Sequence, residues 1–72
     1  MEQDMEINRK IERFLRQYGM APATFGRRVA RDPRLVRDMR RGRELRPPMA
    51  AKAEAFIAAY VETAAAATRD VA

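Results

Sequence analysis

Apolar side chains at Ile7, Ile11, Phe14, Leu15 and Tyr18 recur at steps of four, three, one and three, with Arg9, Lys10, Arg13 and Arg16 turned the other way. That period predicts an amphipathic helix from about Asp4 to Tyr18. Glu2, Asp4 and Glu6 suit the positive end of its dipole, and Gly19 suits a left-handed stop. Pro22 opens a second, short helix, in which Phe25 and Val29 face inward beside the small residues Gly26 and Ala30. Small residues there invite a neighbouring helix to approach closely. Asp32-Pro33 ends that helix and starts a third, from Pro33 to about Arg41, with Asp32 as its N-cap.

On the third helix Leu35, Val36 and Met39 form the apolar stripe, and Gly42 is the stop signal. The loop from Gly42 to Arg46 contributes Leu45 as a core plug. Pro47-Pro48 then opens a fourth helix whose inward set is Ala53, Phe56, Ile57, Tyr60, Val61 and Ala64. No breaker follows Pro48, and the tetrad from Ala64 to Ala67 is the strongest helix former available, so this helix extends over about 48–69. The expected fold is all-α: a small four-helix bundle, one domain over 1–72, with a long C-terminal helix.

Composition narrows the function. The chain has 72 residues, and 14 of its apolar residues are alanine, leaving 20 larger side chains to build a core. A chain this short hides only about 60 % of the surface its unfolded form exposes, which leaves little room for a substrate cavity. There is no His, Cys or Ser, so the commonest metal ligands and nucleophiles are missing. Acids separated by arginine on helical faces offer no converging carboxylate pair. The expectation is no enzyme, no metal and no cofactor. The acidic N-terminal residues, the lack of thiols and the absence of a long apolar run point to a cytoplasmic protein without membrane contact.

Charge supplies the positive signal. Residues 27–46 hold nine arginines and three acids, a net of +6 in a chain whose total is +5. Such a concentration attracts a polyanion. Both lysines lie outside the segment, and a guanidinium fork suits phosphate or the O6/N7 edge of guanine. A solvated face with Arg34–Asp38 pairing and Glu44 neutralising Arg40 or Arg41 is the alternative, but it leaves most guanidiniums unmatched. Asp38 is read either as an acceptor for a cytosine amino group or as a holder of Arg34 or Arg41. On the first helix Glu6–Lys10 and Glu12–Arg16 stand at helical spacing, which reads as a mixed, solvated face. The five aromatic residues lie on apolar stripes and read as core.

The segment from Met20 to Gly42 resembles the helix-turn-helix of the phage-repressor-like (XRE-like, lambda-repressor-like) DNA-binding proteins. Counting from Pro22, Phe25-Gly26 falls on that family's Leu-Ala pair, Val29-Ala30 on its Leu-Gly pair, Val36 and Met39 on its recognition-helix core positions, and Gly42 on its closing glycine. The resemblance implies a double-stranded DNA partner, with the third helix in the major groove and Arg34, Arg37, Asp38 and Arg41 reading bases. It also implies phosphate contacts from Thr24, Arg27, Arg28, Arg40, Arg43 and Arg46, and a bacterial or phage transcription regulator working at the nucleoid. Three features depart from the pattern: Arg31 stands at a turn position that is usually apolar, Pro22 replaces a polar contact residue, and no break follows Tyr60.

Ile57, Val61, Ala64, Thr68 and Val71 repeat at four, three, four and three, the spacing of a seam along which two C-terminal helices pair as a homodimer. Other readings of the same fold are an adapter docking on the transcription machinery and a sequence-blind chromosome-coating protein.

Overall fold

The computed structural model describes the backbone of residues 2–71 and the side chains of residues 6–67. Four helices follow one another: α1 (Glu2–Tyr18), α2 (Pro22–Ala30), α3 (Leu35–Arg40) and α4 (Pro47–Val71). Among the described residues there is no strand. α2 packs chiefly on α3, and α4 lies against both α1 and α2.

Local chemistry explains the helix ends. Gly19 takes φ +62, and the Met20 N–H donates to the Leu15 carbonyl at 3.1 Å, closing α1 with a Schellman bond. α2 starts at Pro22, and the Phe25 N–H donates to the Ala21 carbonyl at 3.1 Å. Its far end is unusual, because Arg31 rather than a glycine adopts the left-handed conformation, at φ 55. The chain then folds back over α2: the Asp32 N–H donates to the Gly26 carbonyl at 3.1 Å. A Cβ on Gly26 would run into the Asp32 carbonyl oxygen and stand 3.1 Å from the Leu35 Cβ, so only glycine admits this crossing.

α3 begins two residues later and ends one residue earlier than the expected Pro33–Arg41. The Asp32 carboxylate accepts the Arg34 N–H at 2.9 Å, and its carbonyl accepts the Leu35 N–H at 3.1 Å. Pro33 and Arg34 therefore form a turn, with Asp32 capping the turn and Arg34 in the bridge region at φ −94, ψ 0. At the other end the Arg43 N–H donates to the Asp38 carbonyl at 2.9 Å.

The core is one cluster: Ile7, Ile11, Phe14 and Leu15 from α1, Phe25 from α2, Leu35, Val36 and Met39 from α3, Leu45 from the loop, and Ala53 and Ile57 from α4. Phe14 centres an aromatic group, with its ring centroid 5.1 Å from Tyr18, 5.8 Å from Phe25, 6.0 Å from Phe56 and 5.2 Å from Tyr60. All five aromatic rings are thus used in packing.

Two expectations for α4 need correction. Val61, assigned to the inward set, is 39 % exposed, because it is turned to the side of the face on which the neighbouring Tyr60 still packs against Phe14 and Tyr18. Ile57, assigned to the dimer seam, is itself core at 6 % exposure. The side chains of Thr68 and Val71 lie outside the described residues.

Candidate nucleic-acid interface

α3 is short enough that its two faces separate cleanly. Leu35 and Val36 are fully buried and Met39 nearly so. Arg34, Arg37 and Arg41, spaced three and four apart, stand exposed on the other side, with Asp38 half-buried between them. Arg34 and Arg41 flank the helix rather than sit inside it, as its capping residues. α2 adds Arg27 and Arg28, both exposed, with Thr24 half-buried one turn earlier. Arg46, just ahead of α4, is exposed as well.

The carboxylates choose partners that sequence spacing does not suggest. Arg40 makes a bidentate pair with Glu12 of α1, Nε to Oε2 at 2.7 Å and Nη2 to Oε1 at 2.8 Å. Arg43 reaches Asp32 at 3.2 Å and Asp38 at 3.4 Å with one Nη1, so its guanidinium links the residues before and within α3. Lys10 pairs with Glu54 of α4 at 3.2 Å. The Arg34–Asp38, Glu6–Lys10 and Glu12–Arg16 ion pairs expected from helical spacing do not form: Asp38 meets Arg43, Lys10 meets Glu54 and Glu12 meets Arg40 instead. Asp38 holds Arg43, not Arg34 or Arg41. Glu12 would have betrayed its role only through knowledge of how α1 lies against the end of α3.

These contacts have electrostatic signatures. The hydrogen bond from Arg40 holds the Glu12 carboxyl below its ordinary value of 4.5, against an opposing effect of burial, and raises the Arg40 guanidinium in return. The Asp32 carboxyl lies below its ordinary value because the Arg34 backbone N–H and then the Arg43 side chain donate to it.

Of the nine arginines in 27–46, two are held by carboxylates. Among the described residues the other seven, Arg27, Arg28, Arg31, Arg34, Arg37, Arg41 and Arg46, are exposed and form no ion pair. Exposed guanidiniums without internal acceptors present their donors to an external anion. Arg40 and Arg43, expected as phosphate ligands, already spend donors on carboxylates. Among the described residues no group of acids could hold a metal ion, and no helix is long and apolar enough to cross a membrane. Compared with known proteins, the chain matches no family model, no curated protein and no solved structure.

Proposed function

We propose that the protein is a sequence-specific double-stranded DNA-binding transcription regulator that lays α3 in the major groove. The observation that carries this reading is the division of α3: one face is sealed in the core, and the other presents Arg34, Arg37 and Arg41 with no internal acceptor. A helix about 10–12 Å across enters a groove about 12 Å wide, and an arginine fork matches the O6/N7 edge of guanine. Arg27, Arg28 and Arg46 supply phosphate contacts beside it, and Thr24 adds a neutral donor. Arg40 and Arg43 act as braces that fix the ends of α3, a role supported by their carboxylate partners.

Selection from random duplex oligonucleotides tests this reading. A preferred site containing guanine is expected. Arg37→Ala should weaken that site by about 1–3 kcal/mol and relax its base choice, whereas Arg27→Ala should weaken all sequences alike and make the salt dependence shallower by about one unit. A flat selection would turn the reading into a sequence-blind DNA-coating protein, and no DNA binding at low salt would leave the adapter. A homodimer through α4 would place two copies of α3 about 34 Å apart on a near-palindrome. The exposed Val61 is the support for that contact.

A further inference from the structure

α1 carries a second arginine stripe, which the pairing of Glu12 with Arg40 uncovers. Arg9, Arg13 and Arg16 follow at steps of four and three and are all exposed. Measured around the helix, they lie opposite the stripe of Ile7, Ile11, Phe14 and Leu15 that enters the core. The acids that could neutralise them are engaged or turned aside. Glu12, the nearest, is hydrogen-bonded by Nε and Nη2 of Arg40, so that of the three arginines only Arg16 acts on its charge, from a distance and without an ion pair, and Glu6 borders a separate groove between α1 and α4, beside Lys10 and Glu54. None of the three arginines forms an ion pair among the described residues. The side chains around them, Asn8, Glu12 and Gln17, are polar, so the surface lacks the apolar centre of a protein–protein contact. A phosphate backbone needs no such centre.

The spacing suits that backbone. From Arg9 to Arg16 the helix advances about 10 Å, a length over which one strand of a duplex advances by about three phosphates. α1 and α3 contribute to one core, and each carries its arginines on the side away from its own core stripe. The neutral Glu12–Arg40 pair marks the boundary between them. We propose that the α1 stripe is a second, sequence-blind site for the phosphate backbone of duplex DNA, so that one molecule holds two duplex segments. The bridging part of this proposal rests on the reading of α3 as a DNA-binding face.

The test uses the full chain, a bead-bound duplex carrying the selected site, and a free fluorescent duplex of unrelated sequence. Wild type should retain the free duplex on the beads at low salt. The R9Q/R13Q/R16Q variant should still bind the bead duplex but retain at least about tenfold less of the free one, with a salt slope for that step shallower by about 2–3. The R9K/R13K/R16K variant should bridge like wild type, because backbone contact needs charge rather than a fork. Equal helical circular dichroism in all three excludes a folding defect.

Binding of the bead duplex without retention of the free one overturns the second site and leaves the α3 reading intact. Unchanged bridging by the glutamine variant overturns it too, since another face or a dimer is then responsible, as does equal loss in the lysine variant. Failure to bind either duplex overturns the α3 reading and the bridging with it.

Discussion

Gly26 shows how one missing side chain sets the geometry around α3. The chain leaving α2 passes so close to it that a methyl group would displace the Asp32 carbonyl, the same residue that caps the turn into α3. Gly26→Ala should therefore cost about 1–3 kcal/mol despite its better helix propensity. In a domain of this size each kcal/mol lowers the melting temperature by about 4–8 °C, and a thermal melt followed by circular dichroism checks it. An equal or higher melting temperature would mean that the turn relaxes at no cost. The small residue was visible in the sequence as an invitation to close approach. What approaches it is the chain's own turn together with Leu35, which spacing along α2 alone does not reveal.

At the scale of elements, the periodic stripes made α1, α2 and α4 readable, and the prolines marked where α2 and α4 begin. The ends of α3 were harder, because the Asp32 side chain competes for the Arg34 N–H and converts the first expected turn of helix into a reverse turn. The charged contacts were least legible. Glu12 and Arg40 stand 28 positions apart, and Lys10 and Glu54 stand 44 apart, so both pairs follow from tertiary packing rather than local spacing. The Glu12–Arg40 brace gives a pH prediction. Its carboxyl is depressed in the folded chain, so its stabilisation is present above the ordinary value of 4.5 and is lost as pH falls through the lower folded value. For a half-exposed bidentate pair this amounts to about 0.5–1 kcal/mol at neutral pH. Glu12→Gln should be less stable than wild type by that amount near pH 7, and urea midpoints of the two proteins should converge as the solution is acidified below 4.5. A gap that persists into strong acid would assign the effect to packing.

For the molecule as a whole, the concentration of charge has a cost in stability. A net of +6 over 20 residues sits in a body with a radius of gyration of 12.7 Å, so like charges face one another within a screening length at low salt. Raising salt from about 0.01 M to about 0.15 M shortens that length from about 30 Å to about 8 Å. The melting temperature should rise over this range, and under the proposed DNA-binding function a duplex containing the selected site should raise it further at constant salt. A melting temperature that falls with added salt would show that the ion pairs outweigh the repulsion. The charge run was legible from composition. The stripe on α1 was not, because its sequence neighbours Glu6 and Glu12 made it look balanced until the fold showed Glu12 engaged by Arg40 and Glu6 beside the groove between α1 and α4.

The aromatic packing also equips the chain with an optical reporter. It has no tryptophan, and its two tyrosines meet edge to face at 5.2 Å where α1 crosses α4. Tyrosine emission therefore follows the docking of those two helices, while α3, which contains no aromatic residue, is spectroscopically silent. Fluorescence that changes when a duplex is added would signal rearrangement where α1 meets α4 rather than contact with α3.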